Sequence, residues 1–168
     1  MKRPNSPSER SEVKYVADTN IISEFMNPRA SDSVINWAQD FGENLFITTL
    51  TVMEINYGIM RLPDSKRTRT LRKQIDAIMN DCTDRVLEFD GYSAYLCAQL
   101  RCSAAAAGRT PQLTDCMIAA ICQRNEATLV TRNVKDFECF GINIVNPFEY
   151  ESPTLVALKA RKAEFEES

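Results

Sequence analysis

The sequence of 168 residues contains no histidine. This absence excludes Ser-His-Asp and Cys-His nucleophilic sites, and it excludes zinc sites with His ligands. Its six cysteines show no CxxC spacing, which argues against a zinc or disulfide framework and favours buried thiols in a reducing cytoplasm. No apolar run is long enough to span a bilayer. Any hydrolytic chemistry must therefore use carboxylates, lysine or a hard metal ion held by oxygen.

Extreme charge is also lacking, because 20 basic and 23 acidic residues leave a net charge of -3. That balance does not by itself indicate a nucleic-acid-binding protein. The length suits one domain with a full hydrophobic core. We expect a flexible leader over residues 1–12, without the apolar segment of a secretory signal, and a domain over residues 13–149. Residues 150–168 are expected to form a helical C-terminal extension, for which a packed extra helix, a dimer contact and a disordered end are the alternatives.

Short apolar segments alternate with segments of helical periodicity. The predicted strands cover residues 13–17, 45–48, 86–89 and 128–131, with a fifth strand within 140–147. The predicted helices cover residues 20–26, 32–41, 50–61, 65–80 and 91–107, and a last one runs from Thr114 or Asp115 to about 125. Either Thr49 or Thr51 could cap the third helix. This alternation predicts an α/β fold with a parallel sheet covered on both faces.

Functional groups in such sheets gather where strands end and helices begin. Asp18 follows the first predicted strand, and Asp115 lies at the head of a very apolar helix. Each of these acids has a simpler interpretation as a helix cap. Asn20 could cap the first helix instead, which would leave Asp18 available for chemistry.

Three further polar residues belong to the same set. Glu54 interrupts apolar neighbours in "TVMEINYG", where its simpler interpretation is a salt bridge to an arginine. Asn133 follows the fourth strand in "LVTRNVKDF", and Asp136 there could be a turn residue. An α/β sheet can bring Asp18, Glu54, Asp115 and Asn133 to one edge. Converging carboxylates repel each other unless a cation is present, which predicts Mg²⁺ or Mn²⁺ and hydrolysis of a phosphodiester.

Five segments in this order and spacing resemble the PIN-domain nucleases, most closely the VapC/FitB-type toxins of bacterial toxin–antitoxin pairs. The segments are "VADTNIISEFMNP", "ITTLTVMEINYGIMRLPDSKR", "VLEFD", "LTDCMIAAICQ" and "TLVTRNVKDFECFGINIVNPFE". The resemblance covers about residues 13–149. It implies a Rossmann-like α/β/α fold with a central parallel sheet of four to five strands. It also implies a Mg²⁺-dependent endoribonuclease that a cognate antitoxin holds in check.

The resemblance assigns roles to individual residues. Asp18 and Asp115 match the principal metal-binding acids, and Glu54 matches the acid of the third-helix motif. The family's fourth acidic position is here Asn133, a neutral oxygen ligand that would hold a second metal ion more weakly. Supporting roles are expected for Thr19 and Thr131, which would donate hydrogen bonds, and for Asp136, which would act through a water.

Basic residues provide candidate RNA contacts. Arg132 and Lys135 lie near the predicted site, and Arg67 and Arg69 belong to a basic stretch over residues 61–73 that could equally be a solvated helix face. Contacts to the phosphate backbone would make RNA binding fall with salt.

The family also implies partners. It predicts a homodimer, a higher assembly with the antitoxin, and no membrane association. An antitoxin arginine would enter the acidic cluster in place of metal. The apolar helix face at Val34, Ile35, Trp37 and Phe41 is expected to be core in preference to an antitoxin groove.

Two alternatives remain open at this point. A degenerate, non-enzymatic PIN-like module would bind nucleic acid or a protein partner, because Asn133 replaces an acid. A phosphoacceptor receiver domain with Asp18 or Asp90 as acceptor also fits the alternation of strands and helices, but it explains neither Glu54 nor the helix that begins near Asp115.

Overall fold

Strands and helices alternate along the chain as the hydrophobic pattern predicts. The computed structural model describes residues 13–154, 156 and 157. The strands are β1 (Tyr15–Ala17), β2 (Leu45–Thr48), β3 (Val86–Leu87), β4 (Thr128–Val130) and β5 (Ile144–Val145). The helices are α1 (Thr19–Phe25), α2 (Asp32–Phe41), α3 (Thr49–Met60), α4 (Lys66–Asp81), α5 (Gly91–Ala106), α6 (Leu113–Arg124) and α7 (Val134–Phe137). The predicted leader and nearly all of the predicted C-terminal helix lie outside the described residues.

The five strands form one parallel sheet in the order β3-β2-β1-β4-β5. Tyr15 pairs with Leu45 on one side and with Thr128 on the other, so β1 is the central strand. Parallel strands need crossover connections, and here the helices supply them and cover both faces. The predicted α/β architecture is therefore confirmed.

Each face of the sheet carries its own apolar core, because successive residues of a strand point to opposite faces. Val16 packs with Leu129 and the buried residues of α6 on one face. Ala17 packs with Ile47 and Trp37 on the other. Trp37 is 1% exposed and Val34 is 0% exposed, whereas Ile35 and Phe41 are half-buried. The expectation that the apolar face of α2 is core holds fully for Val34 and Trp37.

Two helix starts near the sheet differ from the predictions. Asp18, not Asn20, is the N-cap of α1, since its extended backbone continues β1 and its N–H donates to the Val130 carbonyl at 3.0 Å. Thr48, not Thr49 or Thr51, caps α3, and its hydroxyl accepts from the Thr51 N–H. In each case the cap is the last extended residue of the chain before the helix, and sequence periodicity does not locate that residue.

The start of α6 and the presence of α7 also differ. Gln112 is the N-cap residue of α6, with extended backbone angles and a carbonyl that accepts from the Cys116 N–H. Asp115 therefore lies inside the first turn instead of opening the helix. The short helix α7 was not predicted, because four residues are too few to show helical periodicity. No helix in the described part of the chain is long and apolar enough to cross a membrane.

Candidate active site

The carboxyl ends of β1 and β4 place Asp18 beside Thr131. Asp18 directly follows β1, and Thr131 directly follows the neighbouring β4. The Thr131 hydroxyl donates a hydrogen bond to Asp18 Oδ2 at 2.6 Å. Both residues are buried, Asp18 at 8% and Thr131 at 0% exposure. The two adjacent strands therefore hold one carboxylate in a fixed orientation.

Asn20 joins the same two strand ends. Its side-chain amide donates to Asp18 Oδ2 at 2.6 Å and to Thr131 Oγ1 at 3.0 Å, and its Oδ1 accepts from the Arg132 N–H at 3.2 Å. The prediction that Asn20 caps α1 is wrong, because Asp18 is the cap and accepts from the Thr19 N–H at 2.7 Å. Asn20 instead connects the Asp18 carboxylate to the loop after β4 through these hydrogen bonds.

Asp18 stays in an environment that resists ionisation. Burial raises the pKa of Asp18 above its ordinary value, and the charges of Glu54 and Asp136 act in the same direction. The hydrogen bonds from Thr131 and Thr19 oppose this shift without cancelling it. A cation close to Asp18 would favour the charged form.

Glu54 reaches the site from α3. Its side chain is half-buried, and it accepts a hydrogen bond from the Thr19 hydroxyl. Among the described residues Glu54 makes no salt bridge, so the arginine partner of the simpler interpretation is absent from that part of the chain. Thr19 therefore links two acids, through its N–H to Asp18 and through its hydroxyl to Glu54.

Asp115 approaches from the first turn of α6. It is half-buried, and its pKa is raised to about 6, chiefly by burial and then by the charges of Asp136, Asp18 and Glu54. No cationic group contributes to this shift. Asp18, Glu54, Asp115 and Asp136 consequently form one electrostatic unit, which we call the acid cluster.

Asp136 enters this cluster through α7. The side chain of Asn133 is exposed and makes no capping bond, while its N–H donates to Thr131 Oγ1 at 3.0 Å. The turn that begins at Asn133 brings Asp136 back toward the other acids, and its charge acts on Asp115 more strongly than that of Asp18 does. Sequence reasoning gave Asp136 only a supporting role. The available signal was the position of an acid three residues after Asn133, close behind the fourth predicted strand.

The four basic residues predicted to contact RNA have different surroundings in the structure. The Arg132 guanidinium lies over the ring of Phe148, 4.6 Å from its centroid. Lys135 and Asp115 line a common cavity beside the cluster. Arg67 and Arg69 lie on the exposed face of α4, where Arg69 pairs with Asp64 at 2.9 Å.

Asp90, the other acid at a strand–helix junction, has a structural role. It caps α5 by accepting from the Ser93 N–H at 2.7 Å, and it lies 3.7 Å from Arg124. It contributes to none of the pKa shifts in the acid cluster.

The donor atoms suit a hard divalent cation. Carboxylate oxygens are the ligands that Mg²⁺ prefers, and Mg²⁺ commonly uses one or two of them together with waters and substrate phosphates. Among residues 13–154, 156 and 157, no group of three or more acidic, cysteine or histidine side chains is arranged so that it could hold one metal ion, so protein side chains there supply at most two of the ligands. The Asp115 and Asp136 carboxylates make no hydrogen bond within the same residues, and Asp18 Oδ1 accepts only one. The chemistry therefore fits an open site in which water completes the coordination.

Comparison with known proteins identifies the relatives of the chain. The family profile described as "PIN domain" matches residues 15–139. The chain is 36% identical over 135 residues to the plasmid stability protein StbB of Pseudomonas syringae, covering 79% of this chain and 96% of that protein. It is 29% identical over 136 residues to VapC ribonuclease Y4jK of Sinorhizobium fredii, covering 80% and 97%.

Toxin FitB of Neisseria gonorrhoeae is 29% identical over 133 residues, covering 78% of this chain and 96% of that protein. Among solved structures, that of FitAB bound to an IR36 DNA fragment matches with a TM-score of 0.76 and 28% identity, covering 83% of this chain and 99% of that one. These matches span nearly the whole length of each relative.

Proposed function

The chain belongs to the PIN-domain family, and from this premise we propose that it is a metal-dependent endoribonuclease that acts as the toxin of a toxin–antitoxin pair. Relatives named VapC ribonuclease and Toxin FitB support the proposed activity and the proposed biological role. The observation that carries the proposal is the acid cluster. The charges of Glu54 and Asp136 raise the pKa values of both Asp18 and Asp115, and no cationic side chain contributes to either shift.

In the proposed mechanism, Asp18 and Asp115 hold Mg²⁺, for which Mn²⁺ can substitute, and Glu54 contributes through water. A divalent ion held by these residues would supply Lewis acidity, which lowers the pKa of a bound water and offsets charge on the scissile phosphate. Thr131 and Asn20 keep the Asp18 carboxylate in place, and Thr19 orients Glu54.

In this proposal, Asn133 and Asp136 together take the role of the family's fourth acidic residue. Asn133 supplies a neutral oxygen, and Asp136 supplies the negative charge that Asn133 lacks. Arg132 and Lys135 contact the RNA backbone beside the acids.

A groove next to Glu54 is the proposed antitoxin site. It has a volume of about 210 Å³ and lies between α1, α3 and α4. Its lining combines apolar side chains with the polar Thr19 and Glu54; the apolar ones include Ile55, Ile59, Leu62 and Leu71. An antitoxin segment could place apolar side chains in this groove and an arginine against Glu54, where a charge-assisted pair would form. This arginine would compete with metal for the acid cluster.

We further propose a homodimer that assembles with the antitoxin in the cytoplasm. Tyr92 and Tyr95 support self-association, because they are 55% and 58% exposed and their ring centroids lie 6.2 Å apart. All six cysteines are free, as a reducing compartment would keep them.

The decisive experiment measures RNA cleavage by the purified protein with Mg²⁺ and with EDTA. Asp18→Asn and Asp115→Asn should each lower the cleavage rate at least about 100-fold, because each removes a proposed metal ligand. Asp76→Asn is the matched control, since Asp76 is an exposed acid on α4 outside the cluster. Equal cleavage by all variants, or full activity in EDTA, would refute the proposal.

Metal binding separates the enzyme from the non-enzymatic alternative. Mn²⁺ should raise the melting temperature of the wild-type protein and should not raise that of Asp115→Asn. A wild-type protein that binds RNA without cleaving it and shows no Mn²⁺-dependent shift would instead be a binding module.

A further inference from the structure

A cavity of about 390 Å³ opens beside the acid cluster, between the α5–α6 loop and α7. Its lining combines acids from the cluster with basic and neutral polar residues, namely Arg109, Gln112, Asp115, Lys135, Asp136 and Cys139. The volume lies within the range of about 300–1,000 Å³ that is typical of small-ligand sites. Two acids of the cluster thus share the cavity lining with two cations, Arg109 from the loop and Lys135 from α7.

The two cations are available to a ligand. The ion pairs among the described residues join Arg69 to Asp64 and Arg124 to Asp90. Neither Arg109 nor Lys135 is paired within that part of the chain, although two carboxylates line the same cavity. An anion entering the cavity would therefore meet an arginine and a lysine without having to displace an existing salt bridge.

The backbone at Arg109 is held in place by the end of α5. Gly108 has a φ of +72°, a conformation that glycine adopts without the steric cost of a side chain. The Gly108 N–H donates to the Ala105 carbonyl at 3.0 Å, and the Arg109 N–H donates to the Ala104 carbonyl at 2.9 Å. This helix-ending turn fixes where the Arg109 side chain leaves the backbone.

Gln112 contributes a group of a different kind. It occupies the N-cap position of α6 with extended backbone angles, but its side chain makes no capping bond. Its amide both donates and accepts hydrogen bonds. An amide of this kind can pair with the edge of a nucleobase.

We propose that this cavity is a subsite for the RNA nucleotide next to the scissile phosphate. Arg109 and Lys135 contact the neighbouring backbone phosphate from two sides, and Gln112 contacts the base. The guanidinium of Arg109 matches the geometry of phosphate oxygens, whereas Lys135 acts as a point charge. The inference rests on the proposed ribonuclease function, and it adds a place on the enzyme where the sequence around the cleavage position is read.

The test measures binding of labelled single-stranded RNA by fluorescence anisotropy in EDTA, over a series of salt concentrations. In EDTA the measurement depends on contacts to the strand and not on cleavage. The variants are Arg109→Gln, Lys135→Gln and their combination. Arg29→Gln is the matched control, because Arg29 is an exposed arginine beyond the far end of α1. Both target side chains are exposed, and circular dichroism will verify that each variant is folded.

Each single substitution should weaken RNA binding about tenfold, because each removes one charge-assisted contact. The slope of log affinity against log salt should fall by about 0.7 in the double variant, because Arg109 and Lys135 share one phosphate. Arg29→Gln should leave the affinity and the slope unchanged. A double variant with wild-type affinity and slope would overturn the proposal.

Gln112→Ala tests base contact separately. It should leave the salt slope unchanged and alter the order of affinities for oligo(A), oligo(C) and oligo(U) of equal length. An unchanged order would remove Gln112 from the subsite.

Cleavage by the wild-type protein in Mg²⁺ is measured in parallel. Absence of that cleavage refutes the ribonuclease function. If the wild-type protein cleaves RNA but the Arg109→Gln and Lys135→Gln variants bind RNA as tightly as the wild type, only the subsite is refuted.

Discussion

Replacement of Asp115 by asparagine should stabilise the metal-free protein at neutral pH. The pKa of Asp115 is raised from 3.8 to about 6, mainly by burial and then by the charges of Asp136, Asp18 and Glu54. At pH 7 the folded protein must therefore hold a carboxylate in an environment that disfavours its charge. Asparagine removes that charge and keeps a similar shape.

The sign of the pH dependence follows from the direction of this shift. Between pH 3.8 and about 6 the folded state binds more protons at Asp115 than the unfolded state does, so the free energy of unfolding falls as pH rises through this window. A shift of about two pKa units corresponds to about 3 kcal/mol at 1.36 kcal/mol per unit. Because Asp115 is only half-buried, solvent screening reduces the expected effect to about 1–2 kcal/mol.

The assay is urea denaturation in EDTA at several pH values. At pH 7, Asp115→Asn should be about 1–2 kcal/mol more stable than the wild type, which corresponds to about 2–8 °C in melting temperature for a chain of this size. The advantage should shrink as pH falls from about 6 toward 3.8, because the folded wild-type protein takes up a proton at Asp115 across this window and the penalty for its charge disappears. Asp76→Asn is the control, and its difference from the wild type should not change across the same range.

Addition of Mg²⁺ should reverse the order of stability, because a bound ion stabilises the wild-type protein and the Asp115→Asn variant lacks the charge that would retain the ion. The reasoning would be wrong if Asp115→Asn were no more stable than the wild type at pH 7 in EDTA. It would also be wrong if the gain persisted undiminished at about pH 4.

Three further substitutions test the supports of the site and the core. Thr131→Val should lower the free energy of unfolding by about 2–3 kcal/mol, because Asp18 loses a charge-assisted hydrogen bond and the Asn133 N–H loses its acceptor. The same substitution should weaken Mn²⁺ binding at least about tenfold. Unchanged urea denaturation and unchanged Mn²⁺ titration would contradict this role. Asn133→Asp adds a like charge, so it should tighten Mn²⁺ binding and lower the melting temperature in EDTA. If the Mn²⁺ affinity and the melting temperature both stay unchanged, residue 133 does not face the acid cluster. Trp37→Ala should cost about 3–5 kcal/mol in the same denaturation assay, and a loss below about 1 kcal/mol would show that α2 is not core.

Interactions between distant parts of the chain explain why some site features escaped sequence reasoning. Asn20 looked like a local cap, yet its amide bonds to Thr131, which lies 111 positions away. Asp136 looked peripheral, yet α7 turns it toward Asp115. The partner of Asn20 is set by the pairing of β1 with β4, and the neighbours of Asp136 are set by the packing of α7 against α6. Local propensity contains no information about either arrangement.

The groove between α1, α3 and α4 illustrates the same limit for surfaces. Two of the apolar positions of α2 were identified correctly as core, because Val34 and Trp37 follow helical spacing and end fully buried. The apolar side chains of α3 and α4 carry a similar pattern, but there a groove remains between the helices. Periodicity reports which side of a helix is apolar, and packing decides whether that side is closed or open.

The amino-acid sequence by itself determined the alternation of strands and helices, the parallel sheet, and the reliance of any hydrolytic chemistry on acids in a chain without histidine. These properties depend on local periodicity and on residue type, which can be read along the chain. Only the tertiary structure decided that Asp18 is the cap of α1, that Asn20 braces it, and that Asp136 joins the acid cluster. These outcomes depend on which strand ends lie side by side, and that arrangement exists only once the sheet has formed.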